Sequence, residues 1–202
     1  MEMPAHSPPG VEIVLLTNSP ASSDSAIAQA FFIEAWPAVK AKVPRPRVLV
    51  MAGKRKLHAK CAVTDDVVSV VGTYNLDFLS AHVNSEVGAA VWSPAVAAEL
   101  TESIRGDLID ASNMIKEYTI LTDGDGNAVL EGGNPVVTYG PQHHIDSSLW
   151  ERYRLLRRGV SGLTELVSQL EPLREHSGAR PPGPSVQTVP VATAPAGGAP
   201  SS

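Results

Sequence analysis

The chain has 202 residues, of which 43% are hydrophobic and 18% are charged, and its formal net charge is −5. This composition fits one globular domain with extensions, and the acidic balance argues against a generally basic nucleic-acid-binding protein. The single cysteine, Cys61, excludes an intrachain disulfide. No stretch approaches the roughly 18 apolar residues of a membrane span, and residues 1–10 lack the pattern of a secretory signal. We therefore expect a protein that is cytoplasmic or in peripheral contact with a membrane.

The first third of the chain predicts a βα unit followed by another strand. Val11 to Leu16 is apolar and predicts a buried strand. After a short polar loop, Ser23 or Asp24 is expected to cap a helix that runs toward Trp36. A basic segment with two prolines then leads into a second predicted strand, Val48 to Met51.

The stretch that follows places polar side chains on a predicted hairpin. From Leu57 onward apolar and polar residues alternate, which predicts a strand with His58 and Lys60 on the same face. Asp65 and the next residue supply a polar turn, and residues 67–71 predict a second, buried strand. That strand ends in the segment Gly72-Thr73-Tyr74-Asn75, so the hairpin can cluster four polar groups.

These groups suit a phosphate diester. Lys60 supplies positive charge, Thr73 and Asn75 supply directed donors, and His58 can serve as a nucleophile or a general acid. Glu86 opens the next apolar strand, residues 87–91, where its carboxylate could orient the imidazole of His58.

Two features allow a plainer interpretation. For Asp65, shaping the turn through its own backbone explains the residue at least as well as a direct chemical role does. The run Lys54-Arg55-Lys56 next to the motif could attract anionic substrates, or it could be a solvated turn. Lys60 differs, because an unpaired lysine is almost never buried in an apolar strand without a function.

The spacing His58-x-Lys60, Asp65, Gly72-Thr73-x-Asn75 resembles the HKD motif of the phospholipase D superfamily, with threonine in place of the usual serine. From Val11 to about Leu100 the sequence resembles the C-terminal half of a bacterial cardiolipin synthase. The resemblance implies an α/β phospholipase D-like domain, a mixed β-sheet flanked by helices, with a single HKD half. It also implies catalytic roles for His58, Lys60, Asp65, Asn75 and Glu86, and phosphate binding by Lys60, Thr73 and Asn75.

The chemistry implied by the resemblance is phosphatidyl transfer or phosphodiester hydrolysis through a phosphohistidine, without a metal or another cofactor. It needs two histidines, and none of the other five is followed by a lysine two residues on. Three interpretations remain open. The chain forms a homodimer with a complete site, or it is the C-terminal portion of a longer two-motif enzyme whose first half lies on another chain or has been lost, or it is a module that binds phosphate without turnover. The expected substrate is a phospholipid, and nucleic acid, cleaved by a homodimeric phosphodiesterase or nuclease, is the alternative.

The second half of the chain predicts supporting structure. Ser93 and Pro94 begin a helix with Val96, Leu100, Ile104 and Leu108 toward the core. Residues 122–127 resemble a calcium loop but lack the required glutamate, so a hairpin turn is expected. The paired residues His143 and His144 have no further ligands at suitable spacing, and no metal site is predicted. The expected divisions are a flexible N-terminus at 1–10, the phospholipase D-like domain at 11–121, a hairpin and helical extension at 122–176, and a disordered tail at 177–202.

Overall fold

The computed structural model of the chain describes residues 11–42, 46–75, 80, 85–156 and 158–159. They form a mixed α/β arrangement, as the sequence predicts, and they belong to one compact unit. The strands, in chain order, are β1 (Val14–Asn18), β2 (Arg47–Met51), β3 (Cys61–Thr64), β4 (Val68–Gly72), β5 (Gly88–Trp92), β6 (Ile115–Ile120), β7 (Leu130–Glu131), β8 (Asn134–Pro135) and β9 (Val137–Tyr139). The helices are α1 (Ala26–Lys42), α2 (Pro94–Ile109) and α3, which covers residues 147–156.

The larger sheet has the strand order β1-β2-β6-β9. Strands β1 and β2 are parallel and are joined by α1, while β6 and β9 add antiparallel neighbours. The main apolar cluster lies between this sheet and α1, and its buried members are Trp36, Val48, Val50, Tyr118 and Ile120. Strand β9 belongs to the expected C-terminal extension, so that extension contributes a strand to the main sheet.

The smaller sheet is antiparallel, with the order β3-β4-β5, and it carries the motif. Helix α2 packs against β3 and β4. Strand β5 lies at an edge of this sheet, and Trp92 at its end is 81% exposed. The motif sheet therefore has less covering structure than the larger sheet within the part of the chain described.

The structure corrects the bounds of two early elements. The first strand runs from Val14 to Asn18, because its parallel pairing with β2 continues through polar residues that the sequence pattern assigned to a loop. Helix α1 begins at Ala26, and its cap is Ser25, whose Oγ accepts a hydrogen bond from the amide of Ala28 at 3.2 Å. The predicted caps, Ser23 and Asp24, lie before the helix because Ser23 takes part in the preceding turn.

Two later predictions are confirmed and one is wrong in detail. Ser93 caps α2, accepting from the amide of Val96 at 3.4 Å, and Pro94 occupies the first turn. Of the four residues predicted to face the core, Leu100, Ile104 and Leu108 are half-buried, whereas Val96 is 40% exposed and the neighbouring Ala97 is buried in its place. Residues 122–128 form the expected hairpin turn, closed by a bridge between Thr122 and Ala128.

No helix among the described residues is both long and apolar enough to cross a bilayer. The N-terminal ten residues and the predicted tail lie outside the described residues.

Candidate active site

The candidate site lies where three chain segments meet at one end of the motif sheet. The amide of Gly72 donates to the carbonyl of Lys60 at 2.9 Å, which continues the β3–β4 pairing beyond Cys61. The amide of Thr73 donates to the carbonyl of Val87 at 2.9 Å and continues the β4–β5 pairing in the same direction. The segments that carry the predicted residues before β3, after β4 and before β5 therefore converge.

His58 and Lys60 lie just before β3, since the strand begins at Cys61 and not at Leu57 as predicted. The Lys60 Nζ lies 3.0 Å from His58 Nδ1 and donates to the His58 carbonyl at 2.7 Å. An ammonium has no acceptor, so Nδ1 must accept in this contact, and a neutral His58 then carries its proton on Nε2. His58 is exposed and Lys60 is half-buried.

Thr73 and Glu86 are joined directly. The Thr73 Oγ1 donates to Glu86 Oε2 at 2.5 Å, and the amide of Val87 donates to the same hydroxyl at 3.0 Å. Glu86 was expected to orient His58, and the structure places its carboxylate in contact with Thr73. The hydroxyl that the chain keeps in place of the usual serine thus links the second and third strands of the motif sheet.

Gly72 permits this close approach. A Cβ at position 72 would lie 2.6 Å from the carbonyl oxygen of Val87 and 3.0 Å from the Cα of Gly88. Both neighbours are backbone atoms, which cannot rotate away as a side chain can. The glycine in the motif is therefore explained by the packing of β4 against β5.

Asn75 extends beyond β4 toward solvent. Its amide donates to the hydroxyl of Ser80 at 3.1 Å, and Ser80 is 5% exposed. The Asn75 side chain is exposed and makes no hydrogen bond with any other residue that the structure describes.

Asp65 lies at the other end of the hairpin. Asp65 and Asp66 have φ values of 52° and 54°, and the amide of Val67 donates to the carbonyl of Thr64 at 3.1 Å. Positive φ at both central residues defines a type I′ turn, for which aspartate is well suited. At about 3.3 Å per residue, Asp65 is roughly 16 Å along the chain from Lys60. The geometry favours the turn-shaping interpretation over direct chemistry.

The segment before His58 is anchored by Asn18, which the sequence pattern assigned to the polar loop after the first strand. The Asn18 Nδ2 donates to the carbonyl of Leu57 at 2.7 Å, and the amide of Leu57 donates to Asn18 Oδ1 at 2.8 Å. Two residues 39 positions apart form this contact. Its signal in the sequence is weak, since it consists of one polar residue at the end of an apolar strand.

The basic run beside the motif is largely paired. Lys56 Nζ lies 2.7 Å from Asp24 Oδ2, and hydrogen bonding to this lysine lowers the pKa of Asp24. Arg55 binds Asp110 at 3.0 Å. Lys54 forms no ion pair with the residues described here, so one of the three cations remains for attracting anions.

The histidine pair belongs to the larger sheet. His144 Nε2 lies 2.9 Å from the hydroxyl of buried Tyr118, and burial lowers the pKa of His144. The His143 Nδ1 accepts from the amide of Gly140 at 3.0 Å. In the described parts of the chain, no group of three histidine, cysteine or acidic side chains could hold a metal ion.

Comparison with known proteins identifies a related domain. A family described as "Cardiolipin synthase, PLD-like domain" matches residues 3–108, about half of the chain. The chain is 38% identical over 53 residues to the major cardiolipin synthase of Bacillus subtilis, covering 26% of this chain and 11% of that protein. It is 37% identical over 60 residues to a cardiolipin synthase of Staphylococcus aureus, covering 30% of this chain and 12% of that protein.

A longer similarity links the chain to an uncharacterized protein of Helicobacter pylori, with 27% identity over 111 residues. It covers 48% of this chain and 21% of that protein. The chain therefore spans about a fifth or less of the length of these three relatives. No solved structure matches it.

Proposed function

The chain belongs to the cardiolipin synthase, PLD-like domain family, and from this premise we propose that it provides half of a phosphodiester-transferring active site. The observation that carries the proposal is the convergence of His58, Lys60, Thr73 and Asn75 at one end of the motif sheet. The reaction is phosphatidyl transfer or phosphodiester hydrolysis through a phosphohistidine.

The roles of the residues follow from their chemistry. One histidine attacks phosphorus with a ring nitrogen, and the bond from phosphorus to the leaving alcohol breaks. The histidine of the second half protonates that alcohol, and it then removes a proton from the incoming alcohol or water, which attacks phosphorus and releases the first histidine. Lys60 and Asn75 donate hydrogen bonds to the phosphate oxygens, whose charge grows during each displacement.

The contact between Lys60 and His58 describes the state before substrate binds. With Nδ1 accepting from the ammonium, His58 presents an N–H at Nε2 and not a lone pair. An arriving phosphate offers Lys60 a charged acceptor, so the ammonium leaves Nδ1 and the ring can change its tautomer. Glu86, held by Thr73 at the same end of the sheet, is the proposed orienting partner in that state.

A second HKD half must complete the site. This chain contributes one His-x-Lys pair, and β5 lies at the edge of the motif sheet with Val87 75% exposed and Trp92 81% exposed. An exposed apolar strand edge is a common surface for association. We propose that either a second copy or a partner chain supplies the missing half.

A phospholipid is the proposed substrate, reached by peripheral contact with a membrane. The named relatives are cardiolipin synthases, and a net charge of −5 disfavours a polyanion such as nucleic acid. The lipid interpretation therefore has more support than a nuclease of the same superfamily.

The test combines mass and activity. We would measure the mass of the purified chain by sedimentation and assay it with phosphatidylglycerol and with nucleic acid, together with His58→Asn. His176→Asn is the control, because it changes a histidine outside the motif. A dimer that transfers phosphatidyl groups, forms an acid-labile phosphohistidine and loses both in His58→Asn is the expected result.

Other outcomes have distinct meanings. Cleavage of nucleic acid alone would replace the lipid proposal with the nuclease alternative. A monomer that is inactive until a second HKD chain is added would identify a heteromeric site. A dimer that binds phosphate but never forms phosphohistidine would refute the catalytic proposal and leave a binding module.

A further inference from the structure

Asn18 makes a two-bond contact with the backbone just before His58. Its Nδ2 donates to the Leu57 carbonyl at 2.7 Å, and its Oδ1 accepts from the Leu57 amide at 2.8 Å. An asparagine amide carries one donor group and one acceptor, as a peptide group does, so the side chain substitutes for a neighbouring strand. Leu57 lies in no strand, and Asn18 satisfies both of its backbone polar groups.

Asn18 is itself fixed by the larger sheet. It is the last residue of β1, in register with Met51 of β2. The Ser22 hydroxyl donates to the Met51 carbonyl at 2.6 Å and lies 3.4 Å from Asn18 Oδ1. The Gln29 Nε2 donates to the Asn18 carbonyl at 3.3 Å. The side-chain amide of Asn18, which binds the Leu57 backbone, is therefore held in place by the larger sheet and by Ser22.

His58 is thus held between two anchors that come from different sheets. On its C-terminal side, the carbonyl of Lys60 accepts from Gly72 and fixes the chain to the motif sheet. On its N-terminal side, Leu57 is fixed to the larger sheet by Asn18. Neither anchor alone sets the direction of the His58 backbone.

We infer that Asn18 is a positioning residue that sets where the His58 imidazole lies. The inference rests on the proposed phosphohistidine chemistry for its consequence in turnover. In-line attack at phosphorus requires alignment of the attacking nitrogen, and a displacement of about 1 Å can reduce a rate by about 100-fold. A role confined to joining the two sheets would lower stability without changing the imidazole.

The first test needs no turnover. Leu57 amide exchange and the ring nitrogen signals of His58 are measured by NMR in the full chain, in Asn18→Ala and in Asn18→Asp. The control is Asn134→Ala, which removes a comparable contact, from Nδ2 to the Gly132 carbonyl, in the hairpin of β7 and β8. Asn18→Ala should accelerate amide exchange at Leu57 about 10-fold, since losing the hydrogen bond from this amide favours the open, exchanging state by about that factor. It should also shift the His58 ring signals, and the control should change neither.

The second test measures how substitution of Asn18 changes the reaction. Asn18→Ala should lower kcat about 100-fold, with phosphohistidine formation reduced and KM little changed. In Asn18→Asp, an ionised carboxylate faces the Leu57 carbonyl, but the protonated acid again offers one donor and one acceptor. The activity of this variant relative to the unmodified chain should therefore rise as pH falls.

The outcomes separate the inference from the proposed function. Folded Asn18 variants with unchanged His58 signals and slow Leu57 exchange would overturn the positioning role. If Asn18→Ala does not fold, the pH dependence and ring signals of Asn18→Asp decide the question. If the unmodified chain never forms phosphohistidine with a second half present, the proposed function fails, and the exchange and ring measurements still decide the role of Asn18.

Discussion

Replacing Gly72 with alanine tests whether the close approach of β4 and β5 forms the site. The added Cβ would lie 2.6 Å from the carbonyl oxygen of Val87, about 0.8 Å short of the 3.4 Å at which ordinary contact begins. Because the obstructing atoms are backbone, the strands must separate. Overpacking of this kind costs about 1–3 kcal/mol. For a chain of this size the melting temperature should fall by about 5 °C, taking the middle of that range.

Two other glycines provide matched controls in the same assay. Gly88 lies opposite Gly72 in the ladder, yet its added Cβ would meet only the Val71 carbonyl oxygen, at 3.8 Å. Gly106 lies inside α2 with nothing within 4 Å of an added Cβ, so alanine there should stabilise the chain by about 0.5–1 kcal/mol. Thermal unfolding by circular dichroism measures all three variants.

The order of thermal stability among the three variants tests this reasoning. Gly72→Ala should be the least stable, Gly88→Ala close to the unmodified chain, and Gly106→Ala the most stable. The Gly72 variant should also lose the contact between Thr73 and Glu86, because that contact crosses the same two strands. A Gly72→Ala protein that melts with the unmodified chain would refute the reasoning.

Further predictions concern Lys60, the half-buried His144 and the turn at Asp65. Lys60→Met should lower phosphohistidine formation about 100-fold by removing a charged donor to the phosphate. Lys54→Met removes an exposed lysine that forms no ion pair with the described residues and should change phosphohistidine formation little; equal losses would argue against a specific role for Lys60. The pKa of His144 is lowered in the folded chain, so the unfolded chain binds the proton more tightly, and stability should fall as pH drops through about 6.5. His144→Gln should weaken this dependence of stability on pH, as measured by denaturant titrations at several pH values. An unchanged pH dependence would contradict the prediction. Asp65→Val places a β-branched residue at a φ of 52° and should cost about 1–2 kcal/mol in thermal unfolding, while Asp65→Asn should be neutral.

Local patterns explain why the motif hairpin could be predicted. The alternation before Asp65 and the apolar run after it specify two strands with a turn between them, and the structure contains both. The same pattern placed the start of β3 too early, at Leu57, because the alternation of residue types does not reveal where strand pairing ends. The register with β4 ends one residue before Cys61, at the Lys60 carbonyl.

Contacts between distant residues could not be predicted in the same way. Asn18 and Leu57 are 39 residues apart, and neither residue type signals the other. The inward face of α2 was predicted from apolar residues alone, so it included Val96 and omitted the smaller Ala97, which the structure buries. Burial depends on the neighbouring strands, which a single helix pattern does not contain.

The two sheets are stabilised by different contacts, and this difference bears on the proposed assembly with a second half. The buried members of the main apolar cluster lie in the larger sheet and α1, whereas the motif sheet depends on its strand pairing, on α2 and on the link from Asn18. Covering Val87 with the proposed second half would bury apolar surface beside Glu86. We therefore expect assembly to stabilise the motif sheet and to bring in the second histidine in one step. Amide exchange in β5 should slow on assembly, and exchange in β2 should change much less.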